Sequence, residues 1–168
     1  MSDSLYNGRR FRTFNVIDDC AHEGLDIEID TSITSERVVR VLERIRIERG
    51  AVPKRLRLDN GPEMISEAVK AWADVHGVQL QFIQPGRPMQ NGLIERFNRS
   101  YREEVLDAYL FESLDDVREC TRDWLWRYNN RRTHDSLGGK TPAEYARFAR
   151  ARESGEKKGE SRSQNPLL

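Results

Sequence analysis

The chain has few of the features that mark secreted, membrane-spanning or cysteine-bound metal proteins. Only two of its 168 residues are cysteines, Cys20 and Cys120, and they lie far apart outside any Cys-x-x-Cys pattern. This argues against a disulfide framework or a zinc site and indicates a reducing compartment. The first twenty residues contain no apolar block, and no apolar run is long enough to cross a bilayer. We therefore expect a cytoplasmic protein without a membrane partner.

Several common catalytic patterns are missing as well. The three histidines, His22, His76 and His134, share no spacing typical of metal ligands. The chain has no glycine loop that would cradle phosphate, no serine nucleophile elbow and no Cys/His dyad. Its 28 Lys plus Arg balance 28 Asp plus Glu, so net charge neither requires nor excludes a nucleic-acid partner. Candidate chemistry must therefore come from carboxylates and local basic patches.

Hydrophobic periodicity predicts one α/β domain over residues 1–148 and a disordered polar tail over residues 149–168. The predicted order is strand, strand, helix, strand, helix, strand, helix, helix, which indicates a mixed sheet. Ser113 and Thr141 are predicted helix caps, each with an acid three positions on. The predicted strands are Phe11–Ile17, Leu25–Ile29, Lys54–Leu58 and Val78–Phe82, and the first helices are Ser35–Arg49 and Met64–His76. In the Leu25–Ile29 strand, apolar residues alternate with acids, which predicts an edge strand with one face exposed to solvent.

Asp59 follows a short predicted strand in the sequence Leu-Asp-Asn-Gly. Taken alone, Asp-Asn-Gly after a strand is ordinary turn chemistry. Its position favours function, because open α/β sheets place ligands at the carboxyl ends of strands. Carboxylate oxygens also suit Mg²⁺ or Mn²⁺. Asp59 is therefore a candidate metal ligand.

Glu95 lies near the start of a predicted helix, with 35 residues between it and Asp59. Arg99 and Arg102 follow at i+4 and i+7, so the three side chains form one polar stripe. An acid beside two arginines fits a metal ligand next to a phosphate-binding face. It fits an exposed acid near a helix N-terminus, paired with Arg99, equally well.

Two further segments could contact nucleic acid. The stretch from Gln84 to Gly92 contains Arg87 and Asn91 among Gly and Pro, which predicts a flexible loop that could approach DNA or simply connect two elements. The stretch from Trp124 to His134 mixes aromatic and basic residues, as nucleic-acid-binding segments do. Its Trp and Tyr residues also fall on a helical core stripe, which favours packing.

In this order, the motifs resemble the integrase-type catalytic core of bacterial insertion-sequence transposases, which are related to retroviral integrases. They are Arg-Leu-Asp-Asn-Gly-Pro-Glu from Arg57, Gln-Pro-Gly-Arg-Pro-Met-Gln-Asn-Gly-Leu-Ile-Glu-Arg-Phe-Asn from Gln84, and Tyr-Asn-Asn-Arg-Arg-Thr-His-Asp-Ser-Leu from Tyr128, followed by Thr-Pro at Thr141. The resemblance covers roughly residues 1–146. It implies a ribonuclease-H-like mixed sheet flanked by helices.

The resemblance also implies an activity. In that family, three acids hold two divalent metals, Mg²⁺ or Mn²⁺, and water or a 3′-hydroxyl attacks DNA phosphodiesters. Asp59 and Glu95 match the last two acids. Transposon ends and target DNA are the expected partners, with a homo-oligomer or a full-length transposase, in the bacterial cytoplasm at the nucleoid. The expected DNA contacts are Asn60, Arg87, Asn91, Arg99 and Arg102.

The resemblance departs from the family at the front of the chain. The first catalytic acid would fall before Met1, Asp3 matches a later acid of that segment, and Asp18 and Asp19 match a non-catalytic strand end. We therefore expect the first, central strand to be truncated, leaving the strands on its two sides without a common neighbour. The alternative to an active core is a catalytically dead remnant that binds DNA or a full-length transposase.

Overall fold

The computed structural model describes residues 1–83 and 92–162, with side chains up to residue 152. Five strands and five α-helices make up this part of the chain. The strands are β1 Ser2–Ser4, β2 Arg10–Ile17, β3 Gly24–Asp30, β4 Arg55–Leu58 and β5 Gln79–Phe82. The helices are α1 Ser35–Arg49, α2 Glu67–His76, α3 Gly92–Tyr101, α4 Leu114–Arg131 and α5 Pro142–Arg162, with a π-helical turn, Arg102–Leu106, continuing α3.

Local capping chemistry sets the helix ends. Ser113 and Asp116 form a reciprocal capping box at the start of α4, and Thr141 accepts a hydrogen bond from the Glu144 backbone at the start of α5. Both caps confirm the sequence prediction. The α2 prediction was partly wrong, because Ser66 caps that helix and leaves Ile65 exposed outside it.

The strands form two separate sheets. β1, β2 and β3 are antiparallel, in the order β1-β2-β3, while β4 and β5 are paired in parallel. Within the residues that the structure describes, no ladder joins the two sheets. The expectation that β2 and β4 have no common neighbouring strand is therefore confirmed for these residues.

β3 is an edge strand as predicted, but its acidic face is partly covered by α1 and not fully exposed to solvent. Arg44 on α1 pairs with Asp26 at 2.6 Å and with Glu28 at 2.7 Å, and Arg37 pairs with Glu28 and Asp30. Burial raises the pKa of Asp26 despite its Arg44 partner. The strand alternation could not reveal that a helix carrying arginines covers this face.

Two hydrophobic clusters flank the larger sheet. One joins β2 and β3 to α3 and α4 and includes Phe11, Phe97, Tyr101, Val117 and Trp124. The other joins α1, α2 and β4, with Phe14 of β2 packed against it. Since Phe11 and Phe14 lie on opposite faces of β2, that strand separates the two clusters.

The aromatic residues of α4 divide between the core and the surface. Trp124 and Tyr128 are buried, with ring centroids 5.1 Å apart, so packing is the correct interpretation for both. Trp126 is 55% exposed and its ring carries the Arg131 guanidinium 5.2 Å from its centroid. Only Trp126 therefore retains a surface on which another molecule could stack.

The last helix crosses the predicted domain boundary. α5 runs to Arg162, so residue 148 falls inside a helix, and residues 149–162 of the predicted disordered tail are helical. The boundary itself remains a prediction. Among the described residues, no helix is long and apolar enough to span a membrane.

Candidate metal and DNA site

Asp59 stands directly after β4 in a tight turn. Its Oδ1 accepts a hydrogen bond from the Gly61 backbone N–H at 3.0 Å. The Asn60 side chain donates to the Ile83 carbonyl at 2.9 Å and so joins the ends of β4 and β5. A Cβ on Gly61 would lie 3.1 Å from Asp59 Oδ1 and 3.2 Å from Glu63 Oε2. The turn therefore places the carboxylates of Asp59 and Glu63 close to the Cα of Gly61, which has no side chain to keep them apart.

Glu63 is a site residue that the sequence analysis missed. Its Oε1 accepts from Arg12 of β2 at 2.7 Å, while its Oε2 lies near Asp59 across Gly61. The signal was present, since Glu63 closes the Asp-Asn-Gly-Pro-Glu motif. What could not be read from the sequence is its partner, because Arg12 lies 51 positions away.

A cavity of about 630 Å³ separates β2 from β4 and extends to α3. Asp59, Glu63 and Asn98 of α3 line it. The Met1 ammonium also lies here, donating to the Thr13 carbonyl at 2.8 Å. Burial lowers the pKa of this ammonium, with Arg12 contributing in the same direction and Asp59 opposing it. The Asp59 carboxylate therefore lies close enough to the Met1 ammonium for the two charges to interact.

Glu95 lies in the first turn of α3, with its side chain exposed. Asn98, one turn further on, accepts a hydrogen bond from Asn15 of β2 at 2.7 Å and so fixes this face of α3 against the cavity. Ile94 and Asn98 line the cavity, whereas Glu95 is not among its lining residues. Within residues 92–152, no ion pair joins Glu95 to Arg99.

The two arginines that follow Glu95 have different surroundings. Arg99 is exposed on α3. Arg102 contacts Asp3 at 3.2 Å, Asp107 at 3.3 Å and the Ser2 carbonyl at 2.9 Å. It therefore attaches the π-helical turn to β1, and any DNA contact by Arg102 would compete with these interactions.

The other acids near the front of the chain have structural partners. Asp3 pairs with Arg102. Asp18 accepts from the backbone of Cys20 at 2.7 Å and closes the turn after β2. Asp19 pairs with Arg57 at 2.8 Å. In the described part of the chain, no group of three or more His, Cys, Asp or Glu side chains is arranged to hold a metal ion.

Two of the expected DNA contacts, Arg87 and Asn91, lie outside the described residues, as does most of the segment that carries them. For that segment the sequence prediction stands as it was made.

Comparison with known protein families decides the classification. The integrase core domain model matches residues 3–88, and a second model of the same description matches residues 76–142. The chain belongs to the integrase core family. The two matches together span β1 through the start of α5 and include both Asp59 and Glu95.

Two relatives of this integrase core come from insertion elements. It is 42% identical over 144 residues to an insertion element IS476 protein of Xanthomonas euvesicatoria, a match covering 86% of this chain and 41% of that protein. It is 41% identical over 149 residues to an insertion element IS407 protein of Burkholderia multivorans, covering 89% of this chain and 53% of that protein. The chain thus spans about half the length of these relatives or less.

Solved structures show the same fold. The catalytic core of BIV integrase has a TM-score of 0.66 and 19% identity, covering 90% of this chain and 95% of that one. The HTLV-2 integrase catalytic core, solved in complex with magnesium, has a TM-score of 0.63 and 18% identity, covering 84% and 88%. These likenesses establish the mixed α/β integrase fold that the sequence predicted.

Proposed function

We propose that this integrase core acts in DNA transposition, with Asp59 and Glu95 forming part of a metal-dependent site for DNA phosphodiesters. The observation that carries the proposal is the position of Asp59. It stands at the carboxyl end of β4, in the wall of a cavity shared with α3, and Glu95 stands on the first turn of that helix. Relatives from insertion elements support the same conclusion.

The donor chemistry fits a hard divalent cation. Asp59 and Glu95 offer carboxylate oxygens, which suit Mg²⁺ or Mn²⁺. The Gly61 N–H holds one Asp59 oxygen in place. Bound divalent ions would stabilise the charge on the entering and leaving oxygens of a phosphodiester. Asp59 and Glu95 would hold these ions, and Glu63 would keep the turn around Asp59 in position through Arg12.

The DNA backbone would lie along the exposed face of α3. Arg99 would contact phosphate there; its exposure one turn beyond Glu95 supports this role. Asn60, Arg87 and Asn91 are proposed as further contacts. Arg102 would contribute only by exchanging its contact with Asp3. A chain with this role would work in the cytoplasm at the nucleoid, and would associate with copies of itself or with a longer transposase.

One observation favours a second candidate, a core that binds DNA without cutting it. Within residues 1–83 and 92–152, no three acids are grouped so that they could hold a metal ion, whereas the family chemistry uses three. Under this alternative the chain would hold DNA, or pair with a complete transposase, and would not transfer strands.

The test is binding of a labelled DNA duplex with Mg²⁺ and with EDTA. We expect the unaltered chain to bind DNA more tightly in Mg²⁺ than in EDTA. We expect Glu95→Gln to bind DNA equally in both. Glu103→Gln is the matched control, because Glu103 is an exposed acid about 12 Å further along the same helical segment. Equal binding by all three proteins, with no effect of Mg²⁺, would contradict the proposal.

Strand transfer separates the two candidates. The proposed site predicts joining of DNA strands in Mg²⁺, whereas the alternative predicts binding of DNA in Mg²⁺ without joining. Robust joining that is abolished by Glu95→Gln would exclude the non-cutting alternative and would show that two acids suffice here.

A further inference from the structure

The fold brings together two histidines that lie far apart in the sequence. His22 lies between β2 and β3 and His134 follows α4, yet their ring centroids are 5.8 Å apart in an edge-to-face arrangement. The Tyr128 ring lies 5.5 Å from the His134 ring, and the Ser136 hydroxyl lies 3.4 Å from His22 Nδ1. We call these four residues, together with Arg96 of α3, the histidine cluster.

Two members of the cluster are held at an energetic cost. His22 has a φ of 55°, and it is the one non-glycine residue with a positive φ in the part of the chain that the structure describes. Such a backbone conformation is strained, and strained residues are frequent at ligand sites. His134 Nε2 is buried and has no hydrogen-bond partner among the described residues, which costs about 1–3 kcal/mol. A molecule bound here would offset both costs.

Arg96 supplies positive charge to the cluster. Its helix packs on α4 at this point, where the ring centroids of Phe97 and Tyr128 are 4.9 Å apart. Burial lowers the pKa of His22, and the Arg96 charge is the second cause. Burial also lowers the pKa of His134, with the neighbouring His22 ring next and Arg96 acting in the same direction. Arg96 itself is exposed and forms no ion pair with another described residue.

The other charged groups that face the two imidazoles do not cancel this charge. Arg132 also lowers the pKa of His134, although it pairs with Glu104 at 2.6 Å. Three carboxylates act in the opposite direction, those of Asp18, Asp19 and Asp135. The first two are engaged elsewhere, in the turn after β2 and in the pair with Arg57. The cluster therefore favours an anion over a metal cation.

The donors of the cluster match the acceptors of phosphate. A guanidinium offers two parallel N–H groups to an oxyanion. When the Ser136 hydroxyl donates to His22 Nδ1, the neutral imidazole carries its proton on Nε2 and can donate from there. Arg96 and His22 come from different segments of the chain, and a phosphate group presents several acceptor oxygens in different directions. One phosphate can therefore accept from both side chains at once.

We propose that the histidine cluster binds one phosphate group, held by the Arg96 guanidinium and by His22 Nε2. Ser136 orients the His22 ring, and His134 lies against that ring and supports it. This inference goes beyond the proposed function, because neither Asp59 nor Glu95 takes part. Free phosphate and the phosphodiester of a DNA backbone share the chemistry that the cluster recognises, and the test separates these two sources.

The test follows the imidazole NMR signals of the full chain between pH 5 and 8, in EDTA without metal. The ligand is inorganic phosphate in one series and, in the other, a short oligothymidylate without terminal phosphate. Bound phosphate should raise the pKa of His22 and of His134, because a negative charge favours the protonated imidazoles. Since no metal is present, the outcome does not depend on the proposed metal site.

Two arginine variants and one histidine serve as controls. Arg96→Gln should weaken ligand binding, measured from the His22 signals, at least about tenfold. Arg122→Gln replaces an exposed arginine of α4 and should bind like the unaltered chain. His76, whose ring centroid lies 5.0 Å from that of Trp72, is the internal reference. Its signals should not respond to either ligand, and they also show that each variant is folded.

The ligand that acts identifies the source of the phosphate. A response to inorganic phosphate alone would support a site for free phosphate, and a response to the oligothymidylate would support a site for the DNA backbone. No change of the His22 and His134 signals with either ligand would overturn the proposal. So would unchanged binding by Arg96→Gln, or equal weakening by Arg96→Gln and Arg122→Gln.

Discussion

Replacing Trp124 by alanine is expected to lower the free energy of unfolding by about 3–5 kcal/mol. The indole is 3% exposed and contacts three rings, those of Phe97, Tyr101 and Tyr128, with centroids 5.1–5.3 Å away. Its Nε1 donates to Glu104 at 2.7 Å. Truncation would open a cavity at the junction of α3 and α4 and remove a hydrogen bond to a carboxylate. Urea unfolding of both proteins measures the difference.

Trp126→Ala is the matched control on the same helix. Its ring is 55% exposed and its stacked neighbour is Arg131, an exposed cation–π contact worth about 0.5–1 kcal/mol. We expect a change within about 1 kcal/mol. Since small domains are stable by only about 5–15 kcal/mol, the Trp124 variant should be close to unfolding while the Trp126 variant remains folded. Similar losses for both variants would contradict the division of these aromatic residues into buried and surface groups.

Gly24→Ala is expected to destabilise the protein by about 1–3 kcal/mol through overpacking. A Cβ at this position would lie 2.5 Å from Leu125 Cδ1 and 2.9 Å from Phe97 Cε2. The backbone cannot move away easily, because the Asn129 side chain accepts from the Gly24 N–H at 2.9 Å and donates to its carbonyl at 2.8 Å. Asn129 thus holds the start of β3 against α4. Thermal and urea unfolding would show the loss.

The control for this substitution is Gly92→Ala at the start of α3. Among the described residues, apart from its chain neighbours and the backbone of α3, no atom lies within 4 Å of a Cβ built at Gly92, and alanine favours helix more than glycine does. We expect unchanged or slightly higher stability. A Gly24 variant as stable as the Gly92 variant would show that α4 does not approach β3 as closely as described.

Local features of the fold could be predicted from the sequence because their causes are local. The Ser113 and Thr141 caps depend on an acid three positions away. The end of α2 at Gly77 depends on one residue that adopts a positive φ. The break between the sheets was also predictable, but only through the family resemblance, since no local pattern shows which strands are neighbours.

Tertiary partners could not be predicted in the same way. Asn129 belongs to a motif that suggested nucleic-acid binding, yet its side chain bonds both backbone groups of Gly24, 105 positions away. Arg102 was expected to contact DNA, and it contacts Asp3, 99 positions earlier. Asparagine and arginine side chains can each bind nucleic acid or bond to another part of the protein. Only the fold determines which partner lies within reach.

Binding of Mn²⁺ to the chain, measured by electron paramagnetic resonance, tests the central claim most directly. If Asp59 and Glu95 share a metal site, Asp59→Asn and Glu95→Gln should each weaken binding at least about tenfold, or about 1.4 kcal/mol. Glu103→Gln should bind like the unaltered protein. Unchanged Mn²⁺ affinity in both Asp59→Asn and Glu95→Gln would contradict the account, because the two carboxylates would then not form a metal site.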